Sequence, residues 1–322
     1  MLNIKDQKPT QKPTTGLNIS IAFAAYSIAI GCLIGASRAN SWLGALPFAI
    51  AFSFVSNTIF SLLHESVHRV FSLNRDVNNF FGRLSAAFFP TSFTLQRGFH
   101  LGHHRRNRTD AEMFDMYYAR DNKILKYFQW YTIFTGFYWL STPFAGLMYL
   151  LWPGFFHLPF FKKSTQFGYQ TGAEAMFSSL DKETSPLTAR LEILFALVLQ
   201  ISLFVIFQLS WERWLLCYWI FGMNWGALQY ADHAWSPRDI QRGAWNLKVN
   251  VLTRWIFLNY HYHQVHHIHP TLPWYHLPKF IDPKEPMPSF LKIYWEMWKG
   301  PRLATEPNPQ ALDEKFIREM EI

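Results

Sequence analysis

Four apolar blocks, arranged as two close pairs, limit what this chain can fold into more than any other feature. Leu17 to about Ala36 and Trp42 to Leu63 are separated by the short turn Ser37 to Ser41, while Leu191 to Leu209 and Trp214 to Tyr230 flank Ser210-Trp211-Glu212-Arg213. Each block approaches the ~20 residues that an α-helix needs to cross a hydrocarbon core of roughly 30 Å. Inside lipid every backbone N–H and C=O must be satisfied within the element, so single apolar blocks of this length read as helices. The pattern predicts an all-α integral membrane fold, with four transmembrane helices in two hairpins over about 17–36, 42–63, 191–209 and 214–230. The first block is longer than the apolar region of a cleavable signal peptide and reads as a retained span.

The rest of the chain is too polar for a bare helix bundle. The mean hydropathy is only −0.03, so substantial aqueous stretches alternate with the apolar blocks. Charged residues make up 16% and aromatics 18% of the chain, which excludes a disordered protein and falls below the ~25% charge of ordinary soluble domains. A net charge of +8, beside so many aromatic apolar stretches, favours anionic lipid over nucleic acid as the basic surface's neighbour. Cys32 and Cys217 both lie in apolar runs and show no metal or disulfide spacing. Lys5, Lys8 and Lys12 precede the first block, only Arg38 follows it, and Arg69, Arg75, Arg83, Arg97, Arg105, Arg106 and Arg108 follow the second. The positive-inside bias therefore places the N-terminus and the large polar head on the cytoplasmic side. Residues 1–16 read as a flexible tail, 17–300 as a single domain, and 301–322 as a solvated C-terminal tail. Residues 128–160 are apolar but interrupted by Gly136, Pro143, Gly146, Pro153 and Gly154. They read as an interfacial or re-entrant hairpin, because a single crossing there would separate the histidines described next.

Eight of the 13 histidines fall into three tight clusters: His64-Glu65-Ser66-Val67-His68, His100-Leu101-Gly102-His103-His104 and His263-Gln264-Val265-His266-His267. Residues three and four apart share a helix face, so each cluster can aim two or three imidazoles at one point. Imidazole is a strong ligand for iron, zinc or copper, and eight rings exceed what one tetrahedral ion uses. Two metal ions are the natural count. His233, just past the fourth block, is a ninth candidate, and Gln229 lies one helical turn before it. Glu65, Asp110, Asp115 and Asp232 are candidate acceptors for imidazole N–H groups behind the ligands.

An isolated HxxxH is most often a coincidence or a capped surface pair, but three clusters at matched spacing are not. The first is also a literal H-E-x-x-H, the zinc metalloprotease signature with Glu65 as base. A protease of that kind needs one more ligand and has no use for five or six further histidines.

The set of boxes resembles the membrane fatty acid desaturase superfamily of di-iron enzymes. The likeness extends to Phe71-Ser72-Leu73-Asn74-Arg75-Asp76-Val77-Asn78 after the first box and to Arg97-Gly98-Phe99 before the second. Asn259-Tyr260-His261-Tyr262 and Pro270-Thr271-Leu272-Pro273-Trp274-Tyr275 flank the third. The resemblance implies transmembrane helices beneath a cytosolic helical cap, with a di-metal site at their junction. It implies two Fe ions held by His64, His68, His100, His103, His104, His233, His263, His266 and His267, with Gln229 contacting iron through water. It also implies O2 as co-substrate and a long-chain lipid substrate, because breaking an unactivated C–H bond needs an oxidant that amino acids do not provide.

The sequence carries no haem-binding motif of its own and no cysteine cluster, so the electrons come from an external donor: a ferredoxin, a rubredoxin or a small haem protein. The basic head suits an acidic carrier. The function expected is O2-dependent desaturation of a fatty acyl chain. The alternatives are a carotenoid ketolase or hydroxylase, or another lipid hydroxylase, on the same scaffold, and remotely the zinc metalloprotease.

Overall fold

The computed structural model describes residues 11–158 and 185–312. Most of the N-terminal tail and the last part of the C-terminal one lie outside these residues. Helices dominate. α1 (Thr15–Arg38) and α2 (Trp42–Val67) form the first hairpin, as their apolar runs predict. Ser41 caps α2 by accepting the N–H of Gly44 at 3.0 Å, which satisfies one of the donors that a helix start leaves open. The short helices α3 (Arg75–Phe88) and α4 (Phe93–Arg106) follow, started by the side-chain caps Asn74 and Ser92.

The interrupted stretch becomes two helices, α5 (Lys123–Phe134) and α6 (Phe137–Leu151), followed by a 3-10 turn over Pro153–His157. The break falls at Gly136, with φ +87°, a left-handed conformation that glycine adopts without steric penalty. Neither piece is long enough to span alone, and the pair packs against the later hairpin.

That later hairpin is α7 (Pro186–Phe207) and α8 (Trp211–Ala231). α7 begins five residues before the expected 191 because Ser185 caps it, accepting the N–H of Thr188 at 3.3 Å, and Pro186 occupies the first turn. It ends at Phe207, where Gln208 turns left-handed. α1, α2 and α7 are long and apolar enough to cross a membrane. α8 is a helix as expected but is not among these candidates: Glu212, Arg213, Asn224 and Gln229 dilute its apolar character.

The short helices α9 (Val251–Ile256), α10 (His263–Ile268) and α11 (Phe290–Met297) complete the polar head. One two-stranded parallel ladder joins β1 (Met116–Tyr117) to β2 (Arg302–Leu303). Residues 302–312 are largely exposed, as composition leads one to expect, and their first residues are in addition tied to the head by this pairing.

The core centres on α2, which packs against α1, α3 and α8. From Ser56 to Val67 every residue of α2 is buried. The helix leaves its apolar, lipid-length portion and ends inside the protein, so His64 and His68 emerge in the interior rather than at a surface.

Candidate metal centre

Four separate segments bring imidazoles to this point. α2 and its C-cap supply His64 and His68, and the last turns of α4 supply His100, His103 and His104. The turn after α8 supplies His233, and α10 supplies His263, His266 and His267. They sort into two groups. His64, His68, His100, His104 and His266 form an inner group, all buried; His103, His233, His263 and His267 form an outer one in which His103 and His233 are only partly buried. Within each group the candidate ligand atoms lie within 4.8 Å of one another. The groups adjoin: the rings of His104 and His267 are 4.3 Å apart, and those of His263 and His266 5.4 Å.

These nitrogens fit metal ions better than they fit one another. His104 Nε2 lies 3.0 Å from His100 Nε2 and 2.9 Å from His266 Nε2. That is the spacing of neighbouring ligands each about 2.1 Å from a shared ion. His64 Nε2, both nitrogens of His68, His104 Nδ1, His263 Nδ1 and His267 Nε2 are buried with no hydrogen-bond partner. Leaving a buried polar atom unpaired costs about 1–3 kcal/mol, so an array of them points to a ligand that accepts lone pairs. Burial also holds the imidazoles of His100, His104, His263, His266 and His267 well below the ordinary histidine range, reinforced by the neighbouring rings. All are neutral at pH 7, the form that binds metal.

The backbone is turned sharply beside each cluster. Arg69 follows His68 with φ 61°, Arg108 follows the second box with φ 61°, Trp235 follows His233 with φ 55°, and Leu258 and Asn259 precede the third box with φ 47° and 56°. Left-handed non-glycine residues are unfavourable and persist where surroundings over-determine them. Here the surroundings are specific. Asp115 accepts from Arg108 Nη1 at 2.7 Å and from the Trp235 N–H at 2.6 Å, and Asn259 Nδ2 donates to Trp274 O at 3.0 Å.

Among the expected supporting residues, Asp232 lies nearest its role: its Oδ2 is 3.9 Å from His263 Nδ1, and both oxygens are otherwise unpartnered. Burial raises this carboxyl well above its usual range. Glu65 is buried beside His64, yet its Oε2 accepts the Trp274 backbone N–H at 3.1 Å instead of an imidazole. Both line a small cavity with Tyr260, His263 and His266. Gln229 Oε1 accepts the Tyr260 hydroxyl at 2.9 Å, and that ring sits 5.0 Å from His64 and 4.9 Å from His263; Gln229 meets the rings through Tyr260. Asp110 does not face an imidazole. Its Oδ1 accepts from Arg238 Nη2 at 2.7 Å and from the Tyr118 hydroxyl at 2.8 Å, and Asp115 is likewise taken by Arg108.

Two supports were not predicted from the sequence. Glu112 Oε2 lies 3.5 Å from His103 Nδ1, with Arg106 on its other oxygen at 3.4 Å. Burial pushes this carboxyl up, but the hydrogen bond and charge of His103, together with Arg106, bring it below the usual range. Glu112 therefore faces His103 as an anion. The carbonyl of Gly243 lies 2.9 Å from His233 Nδ1. Gly243 fits there because any side chain would meet the Asp239 carbonyl and the Arg108 stem. Neither residue has a spacing relation to the ring it holds, so the sequence offered no signal for them. His261, adjacent to the third box, is buried and pushed down to about 3 by that burial, but it belongs to neither histidine group.

The family model described as fatty acid desaturase matches residues 40–297, a stretch that contains all nine of these histidines. No curated protein matches the chain.

Carboxylates behind metal-bound imidazoles typically carry about 10–100-fold in metal affinity. Glu112→Gln is accordingly expected to weaken metal binding about tenfold at one of the two groups while leaving the fold intact. Iron titration of the apoprotein, followed by thermal unfolding, measures both quantities; unchanged affinity would remove Glu112 from this role.

Proposed function

The chain belongs to the fatty acid desaturase family, and on that premise we propose that it is an O2-dependent di-iron membrane desaturase, one that introduces a double bond into a fatty acyl chain. The observation that carries the reading is the pairing of two adjacent imidazole groups, one of five buried rings and one of four rings of which two are buried and two partly buried. Five rings, His64, His68, His100, His104 and His266, would hold one iron, and four, His103, His233, His263 and His267, the other. When bound, such a pair supplies the dioxygen-dependent oxidising power that removing hydrogen from an unactivated methylene pair requires.

The protein's own residues supply the setting. Burial keeps most of the rings neutral, so the positive charge of the ions would be offset chiefly by the Glu112 carboxylate. Glu112 orients His103, and the Gly243 carbonyl orients His233. Tyr260, held by Gln229, closes the side of the site that faces His64 and His263. The apolar helices α1, α2 and α7 bring the site to the edge of a bilayer, where a long apolar chain is most concentrated.

In this reading α8 is the fourth span. Its 21 residues cover about 31 Å at 1.5 Å per residue, and its polar Asn224 is turned inward, donating to Ser53 Oγ on α2 at 3.2 Å. Two hairpins then return the chain to one face, with the N-terminus and the histidine boxes on the cytoplasmic side. Electrons would come from an external ferredoxin, rubredoxin or small haem protein, drawn to the basic head.

Two experiments test this. Expression in a host that lacks the activity, followed by lipid analysis, is expected to show new double bonds in acyl chains, abolished by His266→Ala. Oxygenated carotenoids with unchanged acyl chains would replace the desaturase reading with that of a ketolase or hydroxylase. For the donor, the rate at which an acidic carrier reduces the enzyme should fall as salt rises, since screening weakens long-range attraction; a rate independent of ionic strength would end the steering idea.

A further inference from the structure

The C-terminal segment 302–312 crosses the part of the head from which the outer histidine group is built. The Arg302 N–H donates to Asp115 O at 2.9 Å, Ala304 N–H to Tyr117 O at 2.8 Å, and Leu312 N–H to Arg105 O at 3.0 Å, one residue beyond His104. The Arg302 guanidinium lies 3.7 Å over the ring of Trp235, two residues after His233. Between these ties the segment meets Arg238, on the same loop as His233. Arg238 N–H donates to Glu306 Oε2 at 3.1 Å, its Nη1 to Glu306 O at 3.2 Å and to the Tyr118 hydroxyl at 3.0 Å, and its Nη2 to Asn308 Oδ1 at 3.3 Å. Asn308 Oδ1 also accepts the N–H of Asp110 at 2.9 Å. Arg238 Nε donates to Arg108 O at 3.1 Å.

One guanidinium thus joins three stretches of chain: the loop after His233, the turn after His104, and the C-terminal segment. The side chains of Arg238 and Arg108 are 1% and 2% exposed, paired with Asp110 and Asp115. Ion pairs taken this far from water add little net stability, because desolvation offsets their attraction. What they do fix is geometry. Glu306 and Asn308, by contrast, are exposed and lie outside the core.

We propose that residues 302–312 act as a clamp that positions the outer histidine group, with Arg238, Glu306 and Asn308 as its positioning residues. The proposal rests on the metal reading above. Its selectivity follows from the chain path. His233 is a member of the outer group alone, and it is carried by the loop that the clamp holds. The segment also bonds Arg105 O beside the inner-group His104, but that group keeps anchors the clamp does not touch: the interior end of α2, which carries His64 and His68, and the start of α4, where the buried Glu192 of α7 accepts from the Thr94 N–H and the Ser92 hydroxyl, both at 2.7 Å.

The test uses the full chain loaded with ferrous iron, equilibrated with a chelator, and read as iron per chain beside thermal unfolding of the apoprotein. Wild type is expected to keep two irons. The double variant Glu306→Ala/Asn308→Ala is expected to keep about one, its weaker site losing about tenfold in affinity, with an unchanged apoprotein melting point. Asn308→Asp, which preserves the acceptor oxygen, should keep both irons. Arg302→Ala, which uncovers Trp235, should reproduce the selective loss if the double variant folds poorly. Retention of both irons at wild-type affinity by the double variant and by Arg302→Ala overturns the clamp, as does loss of both irons together. A wild-type protein that binds no iron would instead overturn the di-iron reading beneath it.

Discussion

Uncharged imidazoles crowded together in the interior, many with ring nitrogens that bond to nothing in the protein, set the terms for the rest of this structure. Each unpaired buried nitrogen is unfavourable by about 1–3 kcal/mol, and here six such atoms come from five rings. A fold does not accumulate that penalty by accident of packing, since ordinary interiors satisfy nearly all their polar atoms. The arrangement is coherent only if the nitrogens have partners that are not protein atoms. Two metal ions would take one nitrogen of each ring, and they would also account for N···N separations near 3 Å.

The surrounding architecture follows from holding four chain segments to that demand. α2 carries the first box into the interior rather than to a surface. α4 is fixed at its start by Glu192, and the chain turns left-handed at Arg69, Arg108, Trp235 and Leu258–Asn259 to release each box from its neighbours. The buried Arg108–Asp115 pair then fixes two of these turns, at Arg108 and Trp235. The membrane-length helices supply the frame, but the polar contacts of the head decide where the rings point.

The sequence was informative where physics is periodic. Apolar runs of span length located both hairpins, and the i, i+3, i+4 spacing located the boxes, because both signals are local. His233 was found because it lies just past the fourth apolar block, and Gln229 because it lies one helical turn before that histidine. Contacts between distant segments left no such trace. Glu112 beside His103 and Gly243 beside His233 have no spacing relation to the rings they support. Glu65 and Asp110 looked available for imidazoles but are taken by Trp274 and by Arg238 with Tyr118. α7 starts at Pro186 instead of Leu191 because a Ser-Pro cap extends it past its apolar stretch. The segment after Pro301 is largely exposed, as its prolines and charges suggest, but its first residues also pair through the main chain with Met116 and Tyr117. Composition does not report backbone hydrogen bonds.

X-ray absorption at the iron edge of the purified, iron-loaded protein tests the central claim most directly, because it reads the ligands and the neighbouring metal together. The account predicts a light-atom shell dominated by imidazole scattering, free of sulfur, with a second iron as a resolved neighbour. Isolated irons without a metal neighbour, or a sulfur shell, would contradict the convergence of these histidines on a shared pair.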